Sequence, residues 1–255
     1  MFLIKNAENL IQSDPQFAGL QFQLAKWLRK ILPRYPEEDQ RRIGELEIDS
    51  WKKVIAQNLE GDRTRLILGD SLRKQANRST GKSKKVLLLN EAISVYSSIE
   101  KDSPDYSNSL RGISGGYLKL FRTGDENEIP PDEYLKKARL FVDQSILVSP
   151  TDIRGRELRL QILNSVLKPN SSLMKIDLAA GFDIDLDWKK GHYWKARIRF
   201  IEGNLEGSQI DLNSYLRLEP KSTLGYILLA HIRFRQKDFT AAIDAAVRVI
   251  ELEKD

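Results

Sequence analysis

The sequence predicts an all-α chain of repeated antiparallel helix pairs, and three observations carry that expectation. Residues that interrupt helices are scarce, with 15 Gly and 9 Pro in 255 residues, both below their average usage. Four prolines follow helix-like runs, at Asp14-Pro15, Ser103-Pro104, Ser149-Pro150 and Glu219-Pro220, where each reads as a helix stop. The pattern Ala196-x-Ile198-Arg199-Phe200 returns 34 residues later as Ala230-x-Ile232-Arg233-Phe234, which is the length of one two-helix repeat. Apolar positions coincide at the same offset: Leu205 with Phe239, Tyr215 with Val249, Leu216 with Ile250 and Leu218 with Leu252.

Composition bounds the function classes. Hydrophobic residues make up 41% and charged residues 30%, enough apolar material for a core and too much for a globally disordered chain. No apolar run approaches a membrane span, and the N-terminal segment lacks the unbroken apolar stretch of a signal peptide. The expectation is therefore no membrane span and, by default, a cytoplasmic location. The absence of cysteine excludes disulfides, thiolate catalysis and Cys-ligated zinc.

The elements follow in order. Residues 2–13 look like the second helix of a preceding unit. Residues 17–32 and 43–57 form a helix pair, with Pro33 and Pro36 in the connection. Leu68-Gly69-x2-Leu72 opens the next pair and Ala92 and Tyr96 mark its second helix; residues 77–87 read as a basic insert between the two. Leu110-x2-Ile113-Ser114-x2-Tyr117 opens the unit 105–150, completed by Tyr134, Ala138, Val142 and Pro150. Residues 168–190 are weaker: Ser171 or Ser172 suits a helix cap, but the alternation Ile184-Asp185-Leu186-Asp187 reads as extended chain, so an irregular second helix is expected. Units 190–220 and 223–255 complete about six pairs in a single repeat domain, 1–255. Small residues such as Ala92, Ala138, Ala230 and Ala242 let the helices approach closely. The chain begins inside a repeat-like helix and stops at residues 251–255 without a polar capping helix, which suggests a fragment or ends covered by a partner.

The last unit resembles the tetratricopeptide repeat (TPR) family, whose signature is W-x2-L-G-x2-Y, then A-x3-F, then a closing Pro. Tyr226-x2-Leu229-Ala230 supplies the opening aromatic, Leu and small residue, Asp238-Phe239 the turn, and Ala242 the small residue of the second helix. Arg233 stands where the family has Tyr, and Ala246 where it has an aromatic. The unit 190–220 keeps Ala196, Gly203-Asn204, Ser208, Leu212 and Pro220 but carries Lys195 at an apolar position. The resemblance implies a right-handed superhelix whose first helices line a concave groove, with no cofactor and no catalysis, binding a peptide or partner protein. Carried over by position, the groove residues are Tyr193, Trp194, Arg197, Phe200, Ile227, His231, Phe234 and Arg235, with Arg111, Gly115 and Lys119 in the unit 105–150. Phe200 and Phe234 fit inter-repeat core equally well on periodicity. Arginines among aromatics suit an extended peptide with acidic or apolar anchors. The Lys and Asn pattern by which chaperone-binding members clamp a terminal carboxylate is not recognisable.

Two alternatives rest on other residues. Arg73, Lys74, Arg78, Lys82, Lys84 and Lys85 follow one another without an intervening acid, and the net charge is +5. Such a surface attracts nucleic acid or a phosphate ligand with steep salt dependence, although a charge run is more often a solvated loop. Ala76 through Gly81-Lys82-Ser83 satisfies a relaxed phosphate-binding loop, but that loop needs a strand before it, and residues 67–75 read as a helix. An accessory domain of a larger enzyme or assembly is what remains of an enzymatic role. Asp183, Asp185 and Asp187 resemble a calcium loop but lack its Gly, where Trp188 stands, and its closing Glu, where Trp194 stands; an acidic surface turn is expected. His192 and His231 are the only histidines. Neither forms a metal pair on its own helix, so packing or groove lining is expected.

Overall fold

The computed structural model describes residues 18–57, 61–124 and 130–253. These contain twelve α-helices and no strand. The helix expected at 2–13 and the Asp14-Pro15 stop lie outside the described residues. Where the sequence suggests one repeat domain, the helices group into two compact units, Met1–Pro150 and Thr151–Asp255.

The first unit contains α1 (Ala18–Ile31), a 3-10 turn (Leu32–Arg34), α2 (Glu37–Ala56), α3 (Asp62–Arg78), α4 (Lys82–Ser97), α5 (Tyr106–Thr123) and α6 (Pro131–Val148). Consecutive helices pack together and α3 also reaches α5. The second contains α7 (Ile153–Asn164), α8 (Ser171–Ile184), α9 (Lys189–Ile201), α10 (Leu205–Leu218), α11 (Thr223–Arg235) and α12 (Phe239–Leu252), again packed in succession, with α9 also reaching α11. Contact with the neighbour and with the next helix but one is how stacked helix pairs bury a face that no pair covers alone.

Small residues set the spacing as the sequence suggests. The Tyr96 ring lies between Gly69 of α3 and Gly112 of α5, and a Cβ on either would stand 2.5 or 2.6 Å from it. Ser114 Oγ donates to the Ala138 carbonyl at 2.7 Å, and Ser208 Oγ to the Ala196 carbonyl at 2.8 Å. Lys195, the departure from the family pattern, is matched by Asp211 of α10 at 3.5 Å; Arg199 reaches the same carboxylate at 3.1 Å.

The 34-residue repeat is visible in the turns. Gly203 has φ 81, and Asn204 then caps α10 by accepting the Gly207 N–H. One period later Asp238 caps α12 by accepting from Ala241, but the left-handed position is held by Lys237, with φ 64. A side chain strains that conformation by about 1–2 kcal/mol. Lys237→Gly is expected to raise the melting temperature, with a gain near ~1 kcal/mol in urea unfolding; a loss of stability would show that the turn relaxes differently.

Two expectations are corrected. Residues 77–87 are not an insert: α3 runs to Arg78, only residues 79–81 are non-helical, and α4 begins at Lys82. Lysine is a good helix former, so a charge run without apolar periodicity is not evidence of a loop. Nor is 168–190 irregular. α8 is a full helix capped by Asn170 rather than Ser171 or Ser172, with Oδ1 accepting the Leu173 N–H at 3.0 Å. Met174, Leu178 and Gly181 form its buried stripe. The helix ends at Ile184, and Asp185 Oδ1 accepts the Asp187 N–H at 3.0 Å in an exposed acidic turn.

Candidate functional site

In the second unit, α9 and α11 bring together four residues named from the sequence. Phe200 is nearly buried; the Arg197 guanidinium carbon lies 5.4 Å and that of Arg235 4.8 Å from its ring centroid. His231 stacks on the same ring at 6.4 Å and 26°. Arg197 Nε donates to Asn164 Oδ1 at 2.9 Å, which orients its guanidinium. Burial first, then Arg197 and Arg235, hold His231 below its ordinary value, so it is neutral near neutral pH. The cluster is two cations and a neutral imidazole on one aromatic platform, which orients the guanidiniums.

Trp194 is a correction. It is 5% exposed and packs with Leu160, Leu163, Met174, Leu178 and Trp188, because Gly191, Trp194 and Ile198 share the buried face of α9. Tyr193 is partly buried, 5.3 Å from Trp194 and 5.5 Å from Tyr215, and burial pushes its hydroxyl up. Both aromatics serve the core between helices. His192 packs edge-on to Phe182 at 5.7 Å. Ile227 and Phe234 remain exposed on α11, so Phe200 and Phe234, alike in sequence, part company in space.

In the first unit, Arg111 donates to Asn108 Oδ1 at 2.8 Å. Lys119 lies instead at a cavity of about 520 Å³ between α3, α4 and α5, lined by Ala76, Asn77, Thr80, Lys82, Lys85, Leu89, Lys119, Arg122 and Thr123. The basic run thus divides. Arg73 is paired with Asp70 at 3.2 Å, Lys84 with Glu45 at 2.5 Å, Arg78 donates to Gln40 at 3.3 Å, and Lys74 is exposed. Only Lys82 and Lys85 of the six line the cavity. Arg122, Asn77, Thr80 and Thr123 are not singled out by the sequence; the matching i, i+3 spacing of Lys82 with Lys85 and Lys119 with Arg122 is the available signal. A second cavity of about 490 Å³ sets Phe22 and Trp51 beneath Lys26, Arg29, Lys30 and Arg63, and it too has no sequence motif.

Other chemistry finds no support in the described residues. The segment before Gly81-Lys82-Ser83 is helix, not strand. No group of three or more His, Cys, Asp or Glu is placed to hold a metal. No helix among the described residues is long and apolar enough to cross a membrane.

No family model matches the sequence, and no curated protein does either. Solved structures do resemble the fold. The thermophilic TPR protein TTC0263 of Thermus thermophilus is similar with TM-score 0.53 and 16% identity, over 82% of this chain and 99% of that one. YrrB, a TPR protein with an unusual peptide-binding site, is similar with TM-score 0.50 and 12% identity, over 86% of this chain and 95% of its own. A MamA protein has TM-score 0.50 and 11% identity, over 76% and 92%. The class is an all-α helical-repeat protein, and its fold is TPR-like.

Proposed function

We propose that the chain is a non-enzymatic interaction scaffold whose second unit binds a peptide or a partner segment carrying a carboxylate, on the α9 and α11 face around Phe200. The observation that supports it most is the convergence of Arg197, Arg235 and His231 on one ring. A carboxylate placed there meets two preoriented guanidiniums, and the exposed Ile227 and Phe234 offer apolar area for neighbouring anchors. The peptide-binding site attributed to YrrB favours the same class of ligand. In a longer protein the chain serves as an accessory interaction domain.

The test is selection from a peptide library on immobilised full-length chain, followed by affinity measurement. Acidic sequences are expected to be enriched, and Arg197→Ala with Arg235→Ala should weaken them roughly 30-fold or more. A carboxylate beside His231 favours its charged form, so affinity is expected to rise as the pH falls below neutral, and His231→Asn should abolish that rise. Enrichment of sequences without acids, or affinity indifferent to both arginines, would overturn the proposal. Capture of nucleic acid that collapses with salt and ignores these residues would favour the basic surface instead.

A further inference from the structure

The first-unit cavity gathers positive charge from two helices beside the end of a third. Lys82 and Lys85 occupy the first turn of α4, Lys119 and Arg122 the end of α5, and Asn77 and Thr80 come from the end of α3 and the connection after it. No carboxylate belongs to the described lining, while the apolar floor is Ala76 and Leu89. Lys84 and Arg73 pair with Glu45 and Asp70 and do not line the cavity. The α4 N-terminus adds to the field: Gly81 caps it without a side-chain acceptor, and the residues on either side of Gly81 both line the cavity. The first-turn N–H groups and the positive helix end therefore stand at its edge.

We infer that this cavity binds a small ligand through a chain of phosphate groups, held by Lys82, Lys85, Lys119 and Arg122. Four basic side chains and no carboxylate among the described lining suit a multiply charged anion, and lysine binds phosphate as a point charge. The volume of about 520 Å³ lies within the usual range for small-molecule sites. Gly81-Lys82-Ser83 opens a helix as a phosphate-binding loop does, but nothing before it supplies the strand of a hydrolytic site. Burial, with Arg73 and Arg122 nearby, pushes Lys119 down to about 8, and burial lowers Arg122. An anion relieves both.

Calorimetric titration of the full chain with inorganic tripolyphosphate and with ATP tests this. Saturable binding is expected, weakened about tenfold or more by Lys82→Ala with Lys85→Ala and by Lys119→Met, and unchanged by Lys74→Ala, which lies outside the lining. Lys119 faces Arg73 and Asn77 of α3, Lys82 and Lys85 of α4 and Arg122 of its own helix, so its replacement removes repulsion. Lys119→Met should lose the ligand while melting no lower than the wild type, which separates binding from misfolding. Affinity should also fall as pH rises through about 8, where Lys119 loses its proton. Equal binding of both probes would assign recognition to the phosphate chain alone, and preference for ATP would add the nucleoside; either supports the site. Absence of saturable binding, or equal weakening by Lys74→Ala, would overturn it, as would an RNA oligonucleotide binding where neither small probe does.

Discussion

An Asp177→Ala variant is expected to lose about 3–5 kcal/mol of stability in the second unit, the cost typical of removing one partner of a buried ion pair. Asp177 of α8 has no exposed surface. Its carboxylate accepts from Arg159 Nε at 2.7 Å and from Arg159 Nη2, a two-pronged contact, while Arg156 approaches to 3.5 Å. The substitution removes the acceptor of both Arg159 contacts, and a guanidinium cannot shed its charge to adapt. Asp177→Asn keeps the volume and part of the hydrogen bonding and should fall between. Asp177→Leu combined with Arg159→Met should recover much of the loss, because a packed apolar pair replaces a buried ionic one at little cost. Urea unfolding followed by tryptophan fluorescence reads it, since Trp188 and Trp194 belong to this cluster. A stability within about 1 kcal/mol of wild type would mean that water reaches the arginines and the pair counts as a surface contact.

The same residue shows where a sequence stops being legible. Asp183, Asp185 and Asp187 attract attention because they are close together, yet all three are solvated; Asp177, a few residues earlier, has its partner 18 positions away, and no local pattern announces it. Helix pairs, the turns at Asn204 and Asp238, and the small residues at Ala138 and Ala196 are readable because each is decided by neighbours within one repeat. Trp194 is not, because periodicity tells which residues share a face but not whether that face meets another helix or solvent. Arg197, Phe200, His231 and Arg235 are readable only through the resemblance to the repeat family, whose first-helix positions they occupy; the 34-residue offset itself relates Arg197 to His231. The cationic cavity lies between: its lysines are conspicuous in sequence, but their convergence on Lys119 and Arg122 depends on α3 and α4 being joined by residues 79–81 alone, where the sequence suggests an insert.

Tyr96→Ala is expected to cost the first unit a similar loss of about 3–5 kcal/mol, as for other large buried aromatics. The ring is 1% exposed, burial pushes its hydroxyl up, and that hydroxyl donates to Asp70 Oδ1 at 2.7 Å while Arg73 pairs with the same carboxylate. Truncation therefore opens a void between α3 and α5 and also leaves Asp70 one donor short. Tyr96→Phe separates these effects: it keeps the ring, loses the hydrogen bond, and should cost about 1.5–3 kcal/mol. Gly112→Ala probes the same space from the other wall, because the new Cβ would meet the ring 2.6 Å away and force it aside. Alone it should be destabilising by about 1–3 kcal/mol; added to Tyr96→Ala it should cost nothing or stabilise, since the ring is gone and alanine favours the helix. A coupling energy above about 1 kcal/mol in that cycle would establish that Tyr96 spaces α3 and α5. Additive effects would mean that the two helices hold their distance without it, and that the glycines answer to some other constraint.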